Sequence, residues 1–281
     1  MSIRLGENNY GKQRVRILQV TRRAERHDVK ELTVGIRLEG AFETAHTKGD
    51  NSNVLPTDTM KNTVYALARQ HRIGTPEEFC LRLADHFLGR HAHLSRARIE
   101  AGETLWTRLA FGKKFHPHAF TRSSDEKRTA LVITTHREKT IQSGVKGLVV
   151  MKTTDSAFEG FLRDSFTTLK EDRNRILATA IRATWLYRSE KADFEAVWHG
   201  ARQTLLETFA EHNSESLQHS LYAMGEAVLQ KYSSILAIRL SLPNKHYNSV
   251  DLSPFHMENP KEIFLPTDEP HGLIEATVRN D

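Results

Sequence analysis

The chain has 281 residues, 38% hydrophobic and 27% charged, a balance that suits an ordinary soluble globular protein with room for about two domains. Its one cysteine, Cys80, excludes a disulfide framework and a cysteine-rich zinc site, and no apolar run approaches the ~20 residues that cross a bilayer. The net charge of +5 suits small anionic substrates; the basic residues are scattered beyond Arg22-Arg23 and Lys113-Lys114, which argues against nucleic acid.

Residues 14–20 and 29–38 alternate as half-buried strands do, and the charged turn at 22–28 joins them as a hairpin. A polar loop over 46–53 leads to Pro56-Thr57-Asp58, where Thr57 or Asp58 is expected to cap a helix with Met60, Val64, Leu67 and Ala68 on one face. The next helix has Thr75 as N-cap, Pro76 at its first position and Glu78 closing a capping box. Its apolar face is Phe79, Leu83, Phe87 and Leu88, and Cys80 on that side is expected to be a buried, inert thiol. Extended segments over 95–110 and 119–136 follow, with a loop between them at 111–118. The first half thus reads strand, strand, helix, helix, strand, strand.

The second half repeats that order. Strands are expected at 140–153 and 178–187. Between them, Phe158, Phe161, Leu162, Phe166 and Leu169 follow a helical stripe, with Lys152, Thr153, Thr154, Asp155 and Arg175 at its flanks. An exposed ring with a guanidinium near it suits a flat anionic ligand, although an amphipathic segment with a solvated end has the same pattern. Asp193 is expected to cap a helix that buries Val197, Ala201, Leu205 and Phe209, and Ser216 starts another with Leu217, Leu221, Met224 and Val228 inward. Strands over 234–242 and 274–278 enclose an irregular stretch at 254–270. Antiparallel sheets with paired helices on one face satisfy this pattern, an α+β class with halves at 1–138 and 139–281.

Four further groups offer chemistry. Tyr10-Gly11-Lys12 precedes the first strand; Asp50-Asn51-Ser52 and Pro56-Thr57-Asp58 put a hydroxyl and free N–H groups at a helix start, which favours an anion. Leu217-Gln218 puts an amide side chain in a first helical turn, and Pro243 ends strand pairing so that Asn244 and His246 can face a pocket. Each also has a plain reading: a solvated lysine, a simple cap, an exposed glutamine, a surface histidine. The histidines at 91 and 93 and at 116 and 118 lack the partners of a metal site, and no Walker loop, dinucleotide-binding glycines or Gly-x-Ser-x-Gly elbow occurs.

In order and spacing, four segments together resemble the urate oxidase (uricase) family over nearly the whole chain. They are Tyr10-Gly11-Lys12, the run GDNSNVLPTDTMKN at 49–62, the stretch at 152–175 with Lys152, Thr153, Phe158, Phe161, Phe166, Leu169 and Arg175, and SLPNKHY at 241–247. The resemblance implies a tandem tunnelling fold of two ββααββ halves whose sheets close into a barrel in a homotetramer, with active sites at subunit interfaces. It implies oxidation of urate by O2 and water to 5-hydroxyisourate and hydrogen peroxide, with no metal and no organic cofactor.

By the same resemblance, Lys12 and Thr57 form a catalytic dyad, His246 relays protons with the lysine, and Asn244 holds oxygen or water over the ring. Phe158 stacks on the purine, Arg175 and Gln218 grip its polar edge, the backbone amides of Asp58 and Leu217 add hydrogen bonds, and Leu169 and Ile274 pack against it. The sequence departs from the family at Met151 and Asn248, and its C-terminus, Val278-Arg279-Asn280-Asp281, is no Ser-Lys-Leu peroxisomal address, so a bacterial, cytoplasmic location is expected. Rival readings are another tunnelling-fold enzyme acting on pterins or GTP, a basic nucleic-acid binder, and a purine binder without turnover. The first lacks its Cys/His set and glutamate here, and the last would have lost the dyad.

Overall fold

The structure is a computed structural model that describes residues 2–122 and 124–280; Asp281, the last residue of the C-terminal sequence read above, lies outside them. The chain divides into two compact units, residues 1–144 with 186–195, and residues 145–185 with 196–281. Among the described residues, no helix is long and apolar enough to cross a membrane.

The first unit starts with β1 (Tyr10–Arg22) and β2 (His27–Gly40), the expected hairpin, paired from Tyr10 opposite Leu38 to Arg22 opposite His27. After a short helix α1 (Glu43–Lys48) come α2 (Thr57–Gln70) and α3 (Pro76–Arg90), then β3 (Leu94–Thr104), β4 (Thr107–Phe111), β5 (Lys114–Thr121) and β6 (Lys127–Thr135). The sheet order is β1-β2-β3-β6, every neighbour antiparallel, and β4 pairs with β5 alone.

Alternation drives this sheet. Leu32, Val34, Ile36 and Leu38 of β2 are fully buried on one face. Both helices bury the stripes that their spacing marks: Met60, Val64, Leu67 and Ala68 of α2, and Phe79, Cys80, Leu83 and Phe87 of α3. Each large apolar side chain so buried contributes roughly 1.5–3 kcal/mol. The capping box of α3 is present in both directions, Glu78 N–H donating to Thr75 Oγ1 (3.2 Å) and Thr75 N–H to Glu78 Oε2 (2.8 Å). Glu77, on the inner side of the same helix, is buried against Arg128 (2.8 Å) and accepts from the Ser143 hydroxyl.

Two local expectations fail in this unit. Thr57 and Asp58 do not cap α2: Pro56 occupies the cap position with extended backbone, no side chain caps the helix, and Thr57 is its first residue. Nor is 111–118 a loop. Gly112 adopts φ 61°, so the chain reverses in two residues between the paired Phe111 and Lys114 and continues as strand.

β7 (Lys139–Lys152) carries the chain into the second unit, which holds most of β8 (Leu177–Tyr187) and of α4 (Phe194–Glu211). It continues with α5 (Leu217–Lys231), β9 (Ile235–Ser249), a 3-10 turn (Ser253–Phe255), β10 (Phe264–Thr267) and β11 (Leu273–Arg279). Both β10 and β11 pair antiparallel with β9, and α5 packs on β9 and β11 through Leu217, Leu221, Met224 and Val228. The stretch expected to be irregular thus contains a short strand.

The main correction concerns 152–175. No helix forms between Lys152 and Leu177. A helical stripe holds only if its face is covered, and here Leu162 and Phe166 are 95% and 89% exposed. Asp155 (φ 55°) and Gly160 (φ 64°) take left-handed backbone, which interrupts a right-handed helix. The backbone instead bonds outward as a strap: Ala157 N–H to Ser214 O (2.7 Å), Ser214 N–H to Asp155 O (2.9 Å), and Phe158 and Asp172 to each other (2.7 and 3.2 Å).

Candidate active site

In the first unit, two short segments are tied together. The Tyr10 hydroxyl donates to Leu55 O (3.1 Å) and accepts from Leu55 N–H (2.8 Å), which fixes the start of β1 against the approach to α2. The Tyr10 ring also meets Phe42 edge to face at 4.7 Å. Gly11 lies so close to the Ile36 carbonyl that any Cβ would collide with backbone. Lys12 follows, half-buried opposite Ile36, and the register shifts directly after it, with Arg14 at φ 60°.

Two residues beyond Leu55, α2 begins with Thr57 and Asp58. The Thr57 hydroxyl makes no hydrogen bond among the described residues, and the first-turn N–H groups lack a side-chain cap. Asp58 turns its carboxylate along the helix, toward Lys61 and Asn62 (2.9 Å). Its pKa lies below the ordinary value mainly through the Lys61 bond, and the Lys12 charge adds to that effect. Lys12 and the first turn of α2 are therefore electrostatic neighbours. A cation beside uncapped N–H groups at a helix start favours an anion there.

In the second unit, Phe158 and Arg175 sit on the two limbs of the strap. The Arg175 guanidinium lies 5.2 Å from the centre of the Phe158 ring, and Phe161 stacks on Phe158 at 5.0 Å with the planes 13° apart. Arg175 N–H donates to Ser156 O (2.8 Å), while its side-chain Nε is buried without a hydrogen-bond partner. Burial holds the Arg175 pKa below the ordinary guanidinium value, and Asp172 offsets part of this. A guanidinium titrates so far above neutral pH that Arg175 remains a cation there.

The strap pairs with Ser214, two residues before Ser216, whose hydroxyl caps α5 by accepting from His219 N–H (3.1 Å). This brings Leu217, buried, and Gln218, exposed, to the same end of the unit as Phe158 and Arg175. Lys152 secures the arrangement from behind: its ammonium donates to His212 O at the end of α4 and lies 5.7 Å from the Phe209 ring. Burial lowers the Lys152 pKa, against the opposing charge of Asp155. Asn244 and His246 share one face of β9 with Leu242; Asn244 N–H donates to Gly272 O (2.8 Å), and Ile274 pairs with Leu242.

The sequence-derived residues thus fall in the two units separately: Lys12, Thr57 and Asp58 in one, and Phe158, Arg175, Leu217, Gln218, Asn244, His246 and Ile274 in the other. Leu169 stands apart on the outer limb of the strap, 57% exposed. A groove of about 510 Å³ along Ile17–Thr21 of β1 and the end of α2 contains none of these residues. One contact has no sequence signal: Lys261, from the stretch read as irregular, bonds Asp172 (2.8 Å) and Asn174 O (2.8 Å) across nearly ninety positions of chain.

The family profile described as Uricase matches residues 8–133 and 141–275. A uricase from Arthrobacter globiformis is 46% identical over 277 residues, 99% of this chain and 90% of that protein. One from Aspergillus flavus is 41% identical over 96% of this chain and 94% of its own. The crystal structure of the Arthrobacter globiformis uricase superposes with a TM-score of 0.96, covering 100% of this chain and 96% of that one.

Proposed function

The chain belongs to the uricase family and is an oxidoreductase acting on urate; from that premise we propose how its residues divide the work. The observation that best supports the division is the pairing of Phe158 and Arg175. A ring and a half-buried cation with an unpartnered Nε–H stand 5.2 Å apart beside a helix start. Urate is planar and anionic at neutral pH. Phe158 stacks on its face, Arg175 and Gln218 take its carbonyl and ring-nitrogen edge, and the Leu217 and Asp58 amides add hydrogen bonds. Leu169 and Ile274 enclose it.

Oxygen accepts single electrons poorly, so the ring must first become electron-rich by losing a further proton. Lys12 draws that proton through the Thr57 hydroxyl, and His246 receives or returns it. The ring then combines with O2, which Asn244 holds over it, as a hydroperoxide. Hydrogen peroxide leaves, and water adds to give 5-hydroxyisourate. Urate, O2 and H2O balance 5-hydroxyisourate and H2O2, and we assign the reaction neither metal nor organic cofactor.

Following the family resemblance, we further propose that a complete site uses Lys12 and Thr57 of one copy with Phe158, Arg175 and Gln218 of another. The assembly would be a homotetramer in which tandem halves, 1–138 and 139–281, close their sheets into a barrel. The test is to add urate to metal-stripped protein and follow its ultraviolet absorbance together with peroxide. One peroxide per urate, only when oxygen is present, is the expected result. Undiminished turnover in anaerobic buffer would refute the role of O2.

A further inference from the structure

We propose that Lys261 is a positioning residue for substrate binding: by engaging Asp172, it keeps the Arg175 guanidinium unpaired and available to an anionic ligand. The inference rests on the reading of Arg175 as the anchor of urate's polar edge.

The problem it solves is local. Asp172 precedes Arg175 by three residues, and the two feel each other's charge, yet no ion pair or hydrogen bond joins them. An arginine beside a carboxylate readily forms a two-pronged pair. Such a pair would have to break each time urate bound, and a bare carboxylate would repel the anion besides. Both effects weaken binding.

Lys261 removes both. Its ammonium lies 2.8 Å from Asp172 Oδ1 and also donates to Asn174 O at 2.8 Å, while Asn174 N–H donates to the same Oδ1 at 2.9 Å. Burial pushes the Asp172 carboxyl up, but Lys261 and the Asn174 N–H outweigh it, so the group is held below its ordinary value and stays ionised. The carboxylate therefore faces a lysine in place of the arginine. Lys261 is itself a built feature. It has φ 61° in a turn tied by Asn259, whose Nδ2 donates to Val250 O (2.8 Å) and Ile263 O (2.7 Å) and whose Oδ1 accepts from Glu262 and Ile263 N–H (3.0 Å each).

The pair is partly exposed, so the expected effect is modest. Steady-state kinetics with urate on the full-length protein should show Lys261→Met raising KM about two- to fivefold, the scale of an exposed ion pair, with kcat nearly unchanged. Adding Asp172→Asn to that variant should return KM to the wild-type value, because asparagine keeps the Oδ1 acceptor for Asn174 N–H but offers Arg175 no charge. A double variant as impaired as the single would mean that Lys261 merely anchors a loop, and the proposal would fail; an unchanged KM in Lys261→Met overturns it too. Asp172→Asn alone, which does not depend on how Lys261→Met folds, should give a KM equal to or below wild type, and a rise refutes the idea. Arg175→Ala separates the layers. If it leaves KM unaltered, the anchor reading falls and takes this one with it; if it raises KM while Lys261→Met does not, only the present proposal falls.

Discussion

Lys12 and Arg175 are both basic side chains, yet the proposed roles make them fail differently on removal. Lys12→Met deletes the proton acceptor, and Thr57→Ala breaks the path to it; either should lower kcat by about two to four orders of magnitude, the usual reach of general acid–base catalysis, with KM little changed. Arg175→Ala should instead raise KM steeply, since a charge-assisted, partly buried contact is lost. Kinetics on the three variants checks this, and a Thr57→Ala enzyme as fast as wild type would remove the relay. These roles were legible only jointly: a lysine before a strand or a histidine after a proline is ordinary alone, and order and spacing gave them weight. Lys261 was not legible, because a left-handed turn that reaches back to Asp172 leaves no mark in local sequence.

At the scale of elements, the inner face of α3 and the end of α4 carry the sharpest predictions. Glu77 is buried against Arg128 and Ser143, and although burial raises its pKa, Arg128 opposes the shift. Glu77→Ala removes one of the two carboxylates on the Arg128 guanidinium, leaving Glu195, at a cost of about 1–3 kcal/mol, visible as a fall in Tm on the order of 5 °C. His212, after α4, has its pKa lowered by burial first and then by His219 and Lys152. The fold therefore favours neutral His212, and the stability this contributes is full above the ordinary imidazole value of about 6.5 and fades as pH falls toward the lowered one. Tm measured from pH 7.5 to 5.5 should drop further in wild type than in His212→Gln; superimposable curves would deny His212 a part. Elements were readable where their chemistry is local, as in the Thr75-Pro76-Glu78 start of α3. They misled where the outcome depends on a partner surface: the spacing at 158–169 is helical, but nothing covers Phe166, and the backbone bonds to Ser214 and Asp172 instead.

For the whole molecule, the proposed sharing of each site between copies has a direct consequence. Lys12→Met and Arg175→Ala chains, each impaired alone, should recover activity when refolded together. A mixed pair contains one site with a native lysine and a native arginine, about a quarter of all sites on random mixing. Mixtures no more active than their components would place both residues of a site in one chain. The exposed Leu162 and Phe166 of the strap suit such an assembly, since an isolated copy leaves them in water.

An enzyme whose proposed reaction releases peroxide works beside an oxidant of its own making. Its lone thiol, Cys80, is fully buried in α3, and burial pushes its pKa well above the usual value, so almost no thiolate exists to be attacked. Oxidative wear should therefore bypass that sulfur and appear first at Met151 and Met257, residues that are each more than half exposed. The lifetime of the catalyst is then set at its methionine surface, and replacing those two side chains with leucine is the natural route to longer service.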